Sequence, residues 1–120
     1  MIEQMSNLPD NALGFVATGT VTAHDYRTIV IPAVEDIFSR HQRVRLLYQT
    51  DAGFTGFEAT AAWEDIVLAY KHYGGWEKVA LVSDVEWIRI ATKMFGFALP
   101  GQVNVFHNSE LNTAVQWISE

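Results

Sequence analysis

The chain has no cysteine, which excludes disulfide staples, thiolate metal centres and cysteine nucleophiles in one step. Basic residues are scarce, 8 Lys and Arg against 14 Asp and Glu, for a formal net charge of -6. A nucleic-acid partner needs a basic footprint to neutralise phosphates, so that class of function is excluded. Simple electrostatic docking on anionic lipid falls for the same reason, and any membrane contact has to be local and apolar. No apolar run is long enough to span a bilayer. The opening Met1-Ile-Glu-Gln-Met-Ser6 lacks the basic region and apolar stretch of a secretory signal, so a cytoplasmic protein is expected.

What is present describes an ordered domain. The 120 residues are 49% hydrophobic and 18% charged, enough to bury one core, and they predict a single domain over 1–120. Strand-like and helix-like segments alternate along it. Residues 13–21 read as a strand, and Thr22 with Asp25 forms a capping-box-like helix start. The following helix carries Tyr26, Ile29, Val30, Ala33, Val34, Ile37 and Phe38 on one face, and Pro32 inside it predicts a kink. Val44–Thr50 reads as a central strand, and a helix over 59–73 packs Trp63, Ile66, Val67, Tyr70 and Tyr73 before Gly74-Gly75 stops it. A strand over 78–83 leads to a helix over 85–97 with Asp84 as its cap. A strand over 102–107 precedes a terminal helix with Leu111, Ala114, Val115 and Ile118 inward. Ile2–Met5 adds a short antiparallel edge strand. The expected fold class is α/β, a four- to five-stranded, mostly parallel mixed sheet flanked by about four helices.

Two glycine-broken apolar stretches stand out, Asp51-Ala-Gly-Phe-Thr-Gly-Phe-Glu58 and Met94-Phe-Gly-Phe-Ala-Leu-Pro-Gly101. The first reads as a loop that leaves Phe54 and Phe57 part-exposed, and clustered exposed aromatics mark binding surfaces. On the helix over 85–97, Ile88, Ala91, Phe95 and Ala98 form a core face. Trp87, Ile90, Met94 and Phe97 widen its apolar arc to roughly half the circumference, beyond the stripe of about 100° that core packing needs. That extra flank meets either the neighbouring helix, as ordinary core, or a ligand or lipid. Gly53, Gly56 and Gly96 are candidate hinges, and Trp63 is expected to be buried near the start of its helix.

The strand–helix order, the acidic-glycine-aromatic turn, Ala62-Trp63-Glu64-Asp65 and the final Ala114-Val-Gln-Trp-Ile118 together resemble the SpoIIAA-like family of the STAS superfamily. The resemblance covers essentially the whole chain. It implies a STAS-type fold, binding of non-polar small molecules and peripheral association with membranes. One departure matters. STAS regulators share a phosphorylatable Asp-Ser-Ser-Gly turn, whereas Asp51–Thr60 has no serine and offers only Thr55 and Thr60 as hydroxyls. The phospho-switch role loses its main support.

Catalytic patterns are weak. Asp51, Asp84 and His107-Asn108 fall at carboxyl ends of strands, where open α/β sheets place ligands, and Asp84 with His107 could be drawn as an acid–base pair. Helix capping accounts for Asp84 and Asn108 more cheaply. The four histidines are far apart in sequence, no metal-ligand spacing appears, and neither glycine pair makes a phosphate loop. No catalytic residue, metal or cofactor is expected. The expected function is a non-catalytic carrier for a non-polar molecule or acyl chain, held between the second and third helices. Phe54, Phe57, Trp63, Val67, Trp87, Ile90, Met94 and Phe97 are the expected ligand contacts. Phe54, Phe57, Phe97 and Leu99 are the expected contacts with the inner face of a membrane. The alternative is a STAS-like interaction module whose apolar patch docks a protein partner or a second copy as a homodimer.

Overall fold

Successive strands lie side by side in the order β1-β2-β3-β4-β5, and this simple order decides where every helix goes. The computed structural model describes residues 1–120 except Ala69 and Tyr70, so the expected packing of Tyr70 lies outside the described residues. β1 (Ile2–Gln4) pairs antiparallel with β2 (Ala12–Val21), and β2, β3 (Val44–Phe57), β4 (Trp76–Val82) and β5 (Gln102–Phe106) run parallel. Each parallel step is bridged by a helix, and right-handed crossovers between neighbours advancing in one direction place all three on one face. These are α1 and α2 (Ala23–Asp25 and Ile31–Arg40), α3 (Ala59–Lys71) and α4 (Glu86–Gly96). α5 (Leu111–Ser119) follows the last strand and covers the other face alone.

Local chemistry explains the start of the helical layer. Thr22 Oγ1 accepts from the Asp25 amide at 3.1 Å, while Asp25 Oδ2 accepts from the Thr22 amide at 2.9 Å. This is the reciprocal capping box expected from the sequence. Pro32 has no amide to donate, and the helix accommodates it with a π-helical segment over Tyr26–Val30 just before α2. The buried face of this region, Tyr26, Val30, Val34 and Ile37, packs on Leu13, Phe15 and Ala17 of β2.

The structure corrects several expectations. Residues 51–57 are not a loop. β3 continues to Phe57 and pairs with β2 through Gly19↔Phe54, Thr20↔Gly56 and Val21↔Phe57, with register shifts after Ala17. Asp51 supports that irregular stretch by accepting from Thr18 Oγ1 at 2.5 Å and from the Gly53 amide at 2.9 Å. Phe54 and Phe57 are part-exposed as expected, but they sit on this strand, packed against the core and edge to face at 5.0 Å. Trp63 is 66% exposed and Phe95 72% exposed, so neither is core. Asp84 does not cap α4. Ser83 Oγ accepts from the Val85 amide instead, and Asp84 accepts from the Asn108 amide at the end of β5. Gly96 lies close to the sheet, since a Cβ there would lie 3.2 Å from Val103 and would need more space between α4 and β5.

Candidate ligand cavity

The side chains that β2–β5 direct toward α2–α4 are large and apolar, among them Phe15, Leu46, Tyr48, Val79, Leu81 and Val103. Two helices fail to cover them closely. α3 is anchored by Ala61 and Leu68, one buried residue at each end of a two-turn interval, and α4 by Ile88 alone. Between these anchors, Ala62, Asp65 and Ile66 of α3 face Trp87, Ala91 and Thr92 of α4 across open space. The resulting cavity holds about 570 Å³. The far end is tied by a hydrogen bond from the Tyr73 hydroxyl to the Ala98 carbonyl. Phe57 meets Trp87 edge to face at 6.4 Å, joining the long strand to α4 at the near end.

A polar cluster around Asp65 interrupts this apolar lining, with the Thr92 side chain also on the wall. The Tyr26 hydroxyl donates to Asp65 Oδ1 at 2.8 Å, and the Tyr48 hydroxyl lies 3.2 Å from that of Tyr26. With the Tyr26 proton committed to Asp65, the Tyr48 hydroxyl is left to donate to the Tyr26 oxygen. Burial holds the Tyr26 phenol well above its usual range, with the charge of Asp65 adding to the effect. Burial also raises Tyr48, against an opposing hydrogen bond with Tyr26. Both phenols stay protonated and serve as fixed donors. Asp65 keeps open surface because it borders the cavity, yet desolvation by the surrounding protein pushes its carboxyl up, opposed by the Tyr26 hydrogen bond.

The residues expected to contact a ligand separate into three groups. Phe57 and Trp87 line the cavity. Phe54 packs behind Phe57. Trp63, Val67, Ile90, Met94 and Phe97 are exposed on the outer sides of α3 and α4, with Phe97 95% exposed. Of the residues expected at a membrane, Leu99 lines the cavity and packs on the core, and Phe97 is fully outward. Sequence reasoning missed the Tyr26–Tyr48–Asp65 cluster. The available signal was Asp65 itself, an acid set between Trp63 and Ile66 on a mostly apolar helix.

A second polar group lies at the carboxyl ends of β4 and β5. His107 Nδ1 is 3.0 Å from Asp84 Oδ1, and the Asn108 side chain donates to Asp84 Oδ2 at 3.2 Å and to the Thr50 carbonyl at 3.0 Å. The His107 hydrogen bond, followed by the Asn108 amide, holds the Asp84 carboxyl below its usual range. Gln49 donates to Asn108 Oδ1 at 2.8 Å, and Thr50 donates to Ser83 Oγ at 2.6 Å. The Asp84–His107 pair is thus formed, but the adjacent hydroxyls of Thr50 and Ser83 are buried and engaged with each other. The Asn108 contacts tie strand ends to the turn before α5, and the Thr50–Ser83 bond joins β3 to the end of β4. Among the described residues no cluster of His, Asp and Glu has metal-ligating geometry.

Fold and cavity together define an α/β domain of the STAS type. The chain belongs to the SpoIIAA-like family, whose model matches residues 12–119. It is similar in structure to an uncharacterized protein with a SpoIIAA-like fold from Shewanella loihica, at 25% identity and a TM-score of 0.75. That similarity covers 98% of this chain and 92% of the other. No curated protein matches the sequence. Among the described residues no helix is long and apolar enough to cross a membrane.

Proposed function

We propose that this protein is a non-catalytic binding domain that takes a non-polar small molecule or acyl chain between α3 and α4. The observation that carries the reading is the apolar cavity of about 570 Å³ under those two helices. Its size lies within the range of about 300–1,000 Å³ usual for small-molecule sites, and apolar walls with few polar groups are the usual lining. Ligand burial would cover sheet and helix side chains that the fold leaves uncovered.

Peripheral association with the inner face of a membrane is the second element of the proposal. It rests on Met94, Phe95 and Phe97, all exposed at the carboxyl end of α4. Each phenylalanine transferred into lipid contributes about 1.5–3 kcal/mol, enough for reversible attachment and too little for permanent anchoring. The competing reading, a regulatory interaction module, draws on the exposed Trp63, Ile66 and Val67 of α3, which would then dock a protein or a second copy.

Native mass spectrometry of freshly purified protein separates these readings. A mass excess of a few hundred daltons, lost on denaturation, is the expected result. Ala91 borders the cavity, so Ala91→Phe, which fills it, should remove the excess mass. A discrete dimer or co-purifying protein with an empty cavity would favour the interaction module.

A further inference from the structure

We infer that the molecule taken up carries a hydrogen-bond-donating head, a hydroxyl or an amine, seated against Asp65, and that an anionic head is rejected. The inference rests on the cavity reading above and narrows it to a class of amphiphile. Three observations carry it.

First, Asp65 is the one charged residue among the described residues lining the cavity, and no Lys, Arg or His lines it. A fatty-acid carboxylate would enter an apolar space facing a second carboxylate, with no counter-charge. Like charges brought together beside apolar walls disfavour one another. Second, Tyr26 is the only described group that hydrogen-bonds the Asp65 carboxyl, and it does so at Oδ1. A carboxylate has about four acceptor sites, and no other described group fills those that remain. A donor on the ligand supplies what the protein withholds. Third, the two phenols are oriented by that same carboxyl. Tyr48 donates to Tyr26 and Tyr26 donates to Asp65, so the chain of protons ends on an acceptor rather than on a free donor. An acceptor head would find both phenolic protons already used.

Aromatic walls suit an amine as well as an alcohol. Tyr48, Phe57, Trp76 and Trp87 line the cavity, and a cation near aromatic faces gains further attraction. Desolvation of the Asp65 carboxyl acts in the same direction, because a donor head restores some of the stabilisation that burial removed.

The test is isothermal titration calorimetry of the full chain with decanol, decylamine and decanoate, each below its micellar concentration. Decanol and decylamine should bind about tenfold or more tighter than decanoate, the effect expected of a hydrogen bond to a charged group. Asp65→Asn keeps the side-chain shape and leaves a carbonyl for Tyr26, but turns an amide donor toward the cavity. In that variant decanoate should gain on decylamine. An unchanged cooperative melt shows that the variant is folded, and Asp65→Ser serves as a second replacement if it is not. Equal binding of all three probes to the native chain would leave the cavity reading standing and overturn the inference. So would an order of preference that Asp65→Asn and Asp65→Ser leave untouched. Failure of all three probes to bind would overturn the cavity reading and the inference together.

Discussion

The two faces of this sheet receive the same alternating strands and end in different states. On one face α5 lies flat, with Leu47, Ala80, Val82, Ala114 and Ile118 at zero exposure. Its last turn is held by Arg45 Nη1 donating to the Ile118 carbonyl at 2.9 Å and Lys78 Nζ to the Trp117 carbonyl at 3.1 Å. Cations at a helix C-terminus match its partial negative charge as well as filling orphan carbonyls. On the other face α2 is buried against β2 and α4 lies close to β5 at Gly96 and Val103, but the space over β3 and β4 between α3 and α4 stays open as the cavity. The strands contribute to this difference, presenting Phe15, Tyr48 and Leu81 to the open side and Ala12, Ala80 and Val82 to the closed one. Ala114 and Ile118 present a small and a branched side chain one turn apart, which lets α5 approach closely. α3 presents Asp65 and Ile66, and α4 presents Trp87, at the equivalent level.

If one face is closed and the other open, truncation should cost very different amounts on each. Ile118→Ala should destabilise by about 2–5 kcal/mol, the range for removing a buried branched side chain. Ile66 is 59% exposed and borders existing space, so Ile66→Ala should change stability by about 0.5 kcal/mol or less. Urea unfolding midpoints measure both. Equal losses would mean that α3 is packed on the sheet in solution and that the cavity is closed there. A smaller cost tests the same contrast from the other direction. Ala91→Phe adds bulk where none is displaced, so it should avoid most of the roughly 1–3 kcal/mol penalty of overpacking a filled core. A loss in the full overpacking range would again indicate a closed face.

Much of the architecture was legible because it follows from local pattern. Apolar alternation, glycine stops and the Thr22–Asp25 cap mark where strands and helices begin, and the order of β and α units implies parallel crossovers. Pro32 foretold the irregular turn before α2, although π-helical geometry rather than a kink absorbs it. The extension of β3 was not legible. Gly53, Phe54 and Gly56 look like a loop in isolation, and only pairing with Gly19–Val21 of β2 makes them a strand. The site suffered similarly. A helical wheel ranks the apolar positions of α3 and α4 but carries no information on how each helix sits against the sheet, so it points Trp63 and Phe95 inward where the structure exposes both. Tyr26, Tyr48 and Asp65 meet across 22 and 39 residues of sequence, which no local pattern encodes.

The open face also sets a pH dependence through Asp65. Desolvation raises the folded-state pKa of Asp65 above its unfolded value of about 3.9. The folded chain then holds this proton longer than the unfolded chain does. Stability consequently falls as pH rises from about 4 to the folded pKa, and stays at the lower level above it. Asp65→Asn abolishes that loss. Its stability relative to the native chain should be unchanged near pH 3 and should improve as pH climbs past about 4. Paired urea titrations at acid and neutral pH read the difference. A variant advantage that is largest in acid would reverse the sign and place Asp65 in a well-solvated, charge-stabilising setting.

The smallest expected effect on folding is at the outermost residue of the open face. Phe97 is 95% exposed, so its ring has almost no packing to lose. Phe97→Ser should leave the unfolding midpoint within about 0.5 kcal/mol of the native chain. Co-sedimentation with neutral phosphatidylcholine vesicles should fall nevertheless, because the same ring accounts for about 1.5–3 kcal/mol of transfer into lipid. Phe54→Ser should behave in the opposite way. Phe54 packs with the core beside Phe57, so the cost should appear in stability, with vesicle binding of the folded fraction retained. The two phenylalanines lie in the two glycine-broken stretches that look alike in sequence, and this pair of variants asks whether burial alone has given them different work. Loss of vesicle binding only in Phe54→Ser would move the contact surface from α4 to the end of β3.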